Sequence, residues 1–341
     1  MNILLGNLYY YPLKLYLYFS LYLYFRKLRV VGRKNIPAGG PVIFASNHQN
    51  ALLDALLISV VTRRNPHFLT RADVFKRGFL DHFLRGLKML PIYRMRDGYN
   101  SIKKNEAIFN AAKGVLQQGG VVGIFPEGSH SLKYMVRPLK KGIARIAFMA
   151  EESRDFQANV HIVPVGIQYE NHALPEGRTL VSFGRPLLVS DFIGDYIADK
   201  NKAVDKLIND LHMRMQSLVV HIDSPGYDDI LHEYQSKRVY QSDLPHQLRS
   251  DQKLVEAIST GAEFKDIPKP SPMFFRYLRR FWDLIWRFIA WIPRKMTDSA
   301  VARMAKDPHF HGTMQFGISI IIYPLFFLIL YQLLRLLFIN I

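Results

Sequence analysis

The chain has 341 residues, 49% of them hydrophobic, with 45 Lys and Arg against 28 Asp and Glu and no cysteine. That length suggests one large domain or two ordinary ones, and the apolar share excludes a mostly disordered chain. The missing cysteine excludes disulfides, zinc–thiolate and iron–sulfur sites and a thiol nucleophile. The formal charge of +17 calls for an anionic partner, and the 13% aromatic share leans towards a membrane surface.

Residues 1–25 carry a single charged side chain, Lys14, and nine Tyr or Phe. Tyr rings favour the headgroup level of a bilayer, so this segment reads as a membrane-surface helix or shallow span. A helix packed on the protein's own core is the alternative. No basic N-terminal region and no small-residue cleavage site mark a signal peptide.

Residues 40–190 read as short apolar strands alternating with helices. Strands are expected at Pro41–Ser46, Val121–Phe125, Val160–Gln168 and Leu180–Phe183, and helices around Asp54–Thr62, Lys103–Gln118 and Gly142–Glu151. Gly119-Gly120 supplies a helix stop. The alternation predicts an α/β fold with a mixed, mainly parallel sheet flanked by helices. Residues 191–270 read as a polar helical extension with loops near Ser224–Gly226 and Ile267–Pro272.

Residues 274–292 place Arg276, Arg280, Asp283 and Arg287 on one helical stripe, with all three Trp on the remaining faces. This is the pattern of an interface helix, or of an ordinary surface helix. Phe316–Leu334 runs nineteen residues without a charge, close to the roughly 20 needed to cross a bilayer. Arg294, Lys295, Arg303 and Lys306 precede it and favour a cytoplasmic-face domain. The expected division is residues 1–30 (interface helix), 31–190 (α/β core), 191–270 (extension) and 271–341 (interface helix and transmembrane candidate), with membrane-associated helices at both ends.

The charge is local. Residues 62–104, 131–150 and 271–307 together hold 24 bases and 6 acids, and the rest of the chain is nearly neutral. Two of these windows flank three clusters of chemically capable residues. Ser46–Asp54 follows a strand and precedes an apolar helix. There His48 is a candidate general base and Asp54 its carboxylate, provided His48 lies in the loop and Asp54 in the early helix. The alternative is an N-cap at Asn47 or Asn50 with His48 a turn residue. Glu127-Gly128-Ser129 ends another strand, with Lys133, Arg137, Lys140 and Lys141 downstream. Cations and backbone amides there suit a phosphate, although a plain turn with a solvated basic segment also fits. Arg94, after the apolar run Leu90–Ile92, is a third phosphate candidate or a surface arginine.

Taken in order, these clusters resemble the glycerolipid acyltransferase family over about residues 40–190. Its marks are an Asn-His box with a downstream Asp (Asn47, His48, Asp54), an Arg block (Arg94), a Pro-Glu-Gly block (Pro126–Ser129) and a Val-Pro block (Val163–Val165). The resemblance implies that His48 deprotonates a glycerol hydroxyl, which attacks the thioester of acyl-CoA or acyl carrier protein, with Asp54 supporting His48. Asn47, Arg94, Glu127, Gly128, Ser129, Lys140 and Lys141 would serve the substrate, and Val163–Val165 would shape its pocket. No bound cofactor, metal or acyl-enzyme is implied.

Two features depart from the usual pattern. Five residues rather than four separate His48 from Asp54, and His130 follows the Glu-Gly-Ser turn. A subset resembling fungal glycerol-3-phosphate and dihydroxyacetone-phosphate acyltransferases shares the longer box. Lysophosphatidic acid is the expected acceptor, with glycerol 3-phosphate second. A non-catalytic lipid-binding protein is the competing class. Membrane lipid and acyl carrier protein are the expected partners, and nucleic acid is not, for want of a reader motif.

Overall fold

The computed structural model describes residues 3–71, 75, 78–92, 101–170, 177–264, 288–304 and 310–339. Its centre is a sheet ordered β1 (Lys27–Val31), β7 (Arg178–Phe183), β6 (His161–Tyr169), β2 (Val42–Ser46), β5 (Val121–Ile124), β3 (Pro66–Arg71) and β4 (Met89–Ile92). A short β8 (Leu187–Leu188) pairs with β6. Strands β2 to β6 run parallel, and β7 and β8 run antiparallel to β6. The expected mixed, mainly parallel α/β sheet is present. Four expected strands lie within two or three residues of β2, β5, β6 and β7. Strands β1, β3 and β8 were not foreseen, and the edge strand β4 was read only as a short apolar run.

Strand β2 is buried along its whole length, as a strand covered on both faces must be. Its side chains alternate between two cores. Ile43 and Ala45 meet α4 (Ser101–Gln117), α5 (Gly142–Glu152) and α7 (Lys200–Gln216), through Ala112, Leu116, Ile146, Phe148, Leu207 and Leu211. Val42 and Phe44 meet α2 (Ala51–Val61) and α1 (Ile3–Tyr24), through Leu53, Leu57, Leu17 and Leu21. Helix α4 ends where expected, with Gly119 at φ +69°.

The polar helices beyond residue 190 are not detached from the sheet. After the short helix α6 (Ile193–Ala198), α7 belongs to the first core. Helices α8 (Tyr227–Lys237) and α9 (Leu244–Thr260) bury Tyr234, Leu244, Leu248 and Leu254 against Leu180 of β7. Asp199 caps α7 by accepting from the amides of Asn201 and Lys202, and Asp243 caps α9 by accepting from that of His246.

The N-terminal helix requires a correction to the expectation of apolar membrane helices at both ends. Among the described residues, only α11 (His311–Ile339) is long and apolar enough to cross a membrane, over His311–Leu336. Helix α1 instead seats Leu17 and Leu21 in the core, while Lys14 donates to the Thr62 carbonyl at 2.9 Å. Its outer side is apolar too: Leu15, Phe19 and Leu23 are 57%, 58% and 70% exposed. Between α9 and α11 lies α10 (Trp291–Met304). The striped segment 274–287 falls outside the described residues.

Candidate active site

Parallel pairing of β2 with β5 aligns Ala45 with Ile124, so the chain leaves both strands at the same end of the sheet. Ligands gather at the carboxyl ends of such strands. Here the His48 loop and the Glu127 turn emerge side by side. They are tied together by the Ser131 amide, which donates to the His48 carbonyl at 3.0 Å.

His48 lies in the loop and Asp54 in the first turn of α2, the arrangement a dyad needs. His48 Nδ1 is 2.9 Å from Asp54 Oδ2, with the carboxylate fully buried and the imidazole 15% exposed. A carboxylate can only accept, so Nδ1 donates, and in the neutral ring Nε2 keeps its lone pair. Asp54 Oδ2 also accepts from the amides of Gln49 at 2.7 Å and Asn50 at 2.8 Å. Its Oδ1 accepts from the Tyr169 hydroxyl at 2.6 Å. Burial and the neighbouring Asp54 push the Tyr169 hydroxyl well above its ordinary pKa, so it stays a donor. Within the box Ala51 opens α2 at φ +39°, a region L-residues seldom occupy.

The imidazole also has an aromatic support. Its ring stacks on Phe125 at 4.0 Å, and Phe125 stacks on Phe68 at 5.6 Å. Phe68 in turn lies on Gly123 of β5, where an added Cβ would sit 2.3 Å from its Cε1. His130 also meets His48 edge-on at 5.6 Å.

Glu127 is 5% exposed. Its Oε1 accepts from the His48 amide at 3.3 Å, and its Oε2 from Arg137 Nε at 2.9 Å. Arg137 continues to Ser129, donating to its hydroxyl at 2.9 Å and to its carbonyl. Burial pushes the Glu127 carboxyl above its ordinary value, while Arg137 pulls it back. Gly128 turns the chain at φ +76°, and Lys140 packs beside it.

The other expected site residues have the following surroundings. The Asn47 amide is committed on both sides to Ile167, donating to its carbonyl at 2.9 Å and accepting from its amide at 2.8 Å. It therefore extends the β2–β6 pairing. Both oxygens of Glu127 are taken up within the turn, by the His48 amide and by Arg137. Val163 and Val165 are fully buried in the core beneath the sheet and line no surface. Exposed Lys141 pairs with Asp205 at 2.5 Å. Arg94 lies outside the described residues. Arg137 was visible only as one of several downstream cations. Tyr169, Phe125 and Phe68 carried no sequence signal beyond being aromatic residues near strand ends. Among the described residues, no group of three or more His, Asp or Glu is placed to hold a metal ion.

At the carboxyl end of the sheet the fold thus sets a buried-carboxylate-supported imidazole beside a Glu–Arg turn. Residues 27–168 match the family model described as Acyltransferase. The chain is 24% identical over 199 residues to the 1-acyl-sn-glycerol-3-phosphate acyltransferase of Bacillus subtilis, covering 56% of this chain and 91% of that protein. It is 28% identical over 171 residues to glycerol-3-phosphate O-acyltransferase 2 of Saccharomyces cerevisiae, covering 48% of this chain but only 22% of that one. Among solved structures, the 1-acyl-sn-glycerophosphate acyltransferase PlsC from Thermotoga maritima is similar at a TM-score of 0.44 and 20% identity, over 60% of this chain and 76% of that one. The chain carries an acyltransferase domain, and its homologues include 1-acyl-sn-glycerol-3-phosphate acyltransferases and fungal glycerol-3-phosphate acyltransferases.

Proposed function

We propose that the protein transfers a fatty acyl chain from an acyl thioester to the free hydroxyl of lysophosphatidic acid, giving phosphatidic acid. The observation that carries this reading is the His48–Asp54 pair, set beside the Glu127–Arg137 turn within the acyltransferase domain. His48 Nε2 takes the hydroxyl proton as the oxygen attacks the thioester carbonyl. The tetrahedral adduct collapses with cleavage of the carbon–sulfur bond, and the imidazolium returns the proton to the leaving thiolate. Asp54 stabilises the imidazolium and fixes its tautomer. Arg137, Lys140 and Arg94 supply the positive charge for the acceptor phosphate. Acyl-CoA or acyl carrier protein is the donor, and no bound cofactor takes part.

Glycerol 3-phosphate is the second reading for the acceptor. It is favoured by the longer His–Asp box, by His130, and by the similarity to the yeast glycerol-3-phosphate O-acyltransferase. Helix α11 crosses the bilayer and the outer side of α1 lies in its interface, with the domain on the cytoplasmic face. In this arrangement residues 1–30 and 271–341 are the lipid-facing parts, 31–190 the catalytic core, and 191–270 its support.

The test is to give purified full-length protein labelled acyl-CoA or acyl carrier protein together with each acceptor, and to separate the lipid products. Labelled phosphatidic acid from lysophosphatidic acid is expected, with a loss of about 100-fold or more in His48→Ala. Product from glycerol 3-phosphate alone would move the acceptor. Full turnover in His48→Ala would sink the mechanism, and membrane binding without product would leave a lipid-binding protein.

A further inference from the structure

The apolar C-terminal helix begins against the loop that carries His48. Thr313, in the first turn of α11, accepts from the Leu53 amide at 3.2 Å and donates to the Asn50 carbonyl at 2.8 Å. The Leu53 amide also donates to the Asn50 carbonyl at 2.9 Å, so the Thr313 hydroxyl bridges both ends of that turn bond. Asn50, the N-cap of α2, supplies no side-chain bond. Thr313 thus adds, from another helix, the side-chain partner that the start of α2 lacks from its own cap.

The turn that Thr313 holds is the strained one. Its two bonds bracket Ala51, at φ +39°. Such backbone persists only where its surroundings over-determine it. The same turn delivers the Gln49 and Asn50 amides to Asp54. The start of the C-terminal helix also reaches the second histidine: Phe310 lies edge-on to His130 at 5.2 Å.

We infer that Thr313 is a positioning residue for acyl transfer, fixing the Asn50–Leu53 turn and through it the His48–Asp54 geometry. The seat of the C-terminal helix is then part of the catalytic apparatus as well as an anchor. Thr313 itself touches no reacting atom, and the inference rests on the acyl-transfer reading.

Thr313→Val keeps the side-chain shape and removes both bonds, while Thr313→Ser keeps the hydroxyl. Each full-length variant is assayed in phospholipid nanodiscs with acyl thioester and lysophosphatidic acid. In Thr313→Val, kcat should fall about 10-fold through misplacement of the base. Both KM values should stay within about twofold, because ground-state binding is untouched. Thr313→Ser should retain the parent kcat. Amide hydrogen exchange over residues 47–57 should quicken in Thr313→Val and not in Thr313→Ser, with the thermal midpoint preserved. A parent-like kcat in Thr313→Val, equal losses in both variants, or a loss explained by a fallen midpoint would each overturn the inference. If the parent protein forms no acylated lipid, acyl transfer itself fails. The exchange at Leu53 then decides whether Thr313 holds the turn, and unchanged exchange in Thr313→Val overturns that too.

Discussion

Asp54 reaches His48 across five intervening residues with an Oδ2–Nδ1 distance of 2.9 Å, and that same oxygen accepts the amides of Gln49 and Asn50. The carboxylate therefore builds the loop and aims the imidazole with one set of bonds. Asp54→Asn places a donor where three donors converge in a fully buried site. It should lower kcat by about a thousandfold or more, as expected when a His loses its orienting carboxylate. It should also cost about 2 kcal/mol or more of stability from unpaired buried donors. Turnover and denaturant midpoints read the two effects separately, and a parent-like kcat would show that the longer box is not a dyad.

Tyr169 is the other anchor of that carboxylate, donating to Oδ1 at 2.6 Å from the end of β6. Tyr169→Phe removes one charge-assisted bond and leaves the ring in place. The expected cost is about 1.5–3 kcal/mol of stability, with a kcat loss smaller than that of Asp54→Asn. Chemical denaturation with parallel turnover measurements would check it, and an unchanged midpoint would contradict the assigned bond.

Gly123 sets the depth at which Phe68 lies, and with it the stack Phe68–Phe125–His48. Gly123→Ala would put a methyl group into the Phe68 ring. Overpacking of this kind costs about 1–3 kcal/mol. Activity should fall further than the stability loss accounts for, because the displaced ring supports the catalytic imidazole. Equal, proportionate losses would mean that the stack only fills space.

Glu127 gives a pH signature. Burial holds its carboxyl above the ordinary value of 4.5, with Arg137 opposing. Between 4.5 and that raised value the folded state binds more protons than the unfolded state, so stability falls as pH rises through the window and is level above it. Glu127→Gln removes this titration. The thermal midpoint of the parent minus that of Glu127→Gln should therefore step downward with rising pH across the window. A step in the opposite direction would mean that the Arg137 pairing outweighs burial.

Phe19 and Leu23, at 58% and 70% exposure, offer the outer side of α1 to lipid. Phe19→Asp with Leu23→Asp should leave the unfolding free energy in detergent within about 0.5 kcal/mol of the parent, since neither side chain packs on the core. The double variant should reduce activity on vesicle-borne acceptor while sparing activity on detergent-dispersed acceptor. Equal rates in both settings would remove α1 from the lipid contact.

The sequence by itself determined the central strands, the helices that cover them (the one that carries Asp54 among them), the charge-free C-terminal span, and the two loops that hold His48 and Glu127. Hydrophobic period and turn residues are local signals, and those elements carry them. Only the tertiary structure decided what the side chains do with one another. Asn47 turns to the backbone of Ile167, 120 positions away, and Thr313 reaches Asn50 across 263. Val163 and Val165 belong to the core because parallel pairing with β2 carries them beneath the sheet. Tyr169 and Arg137 become site residues for the same reason: sheet order and loop proximity choose their partners, and neither is written in local spacing. Helix α1 shows both levels at once. Its aromatic, nearly uncharged sequence marks it for an apolar surface, but only packing decided that Leu17 and Leu21 face the protein while Phe19 and Leu23 face outward.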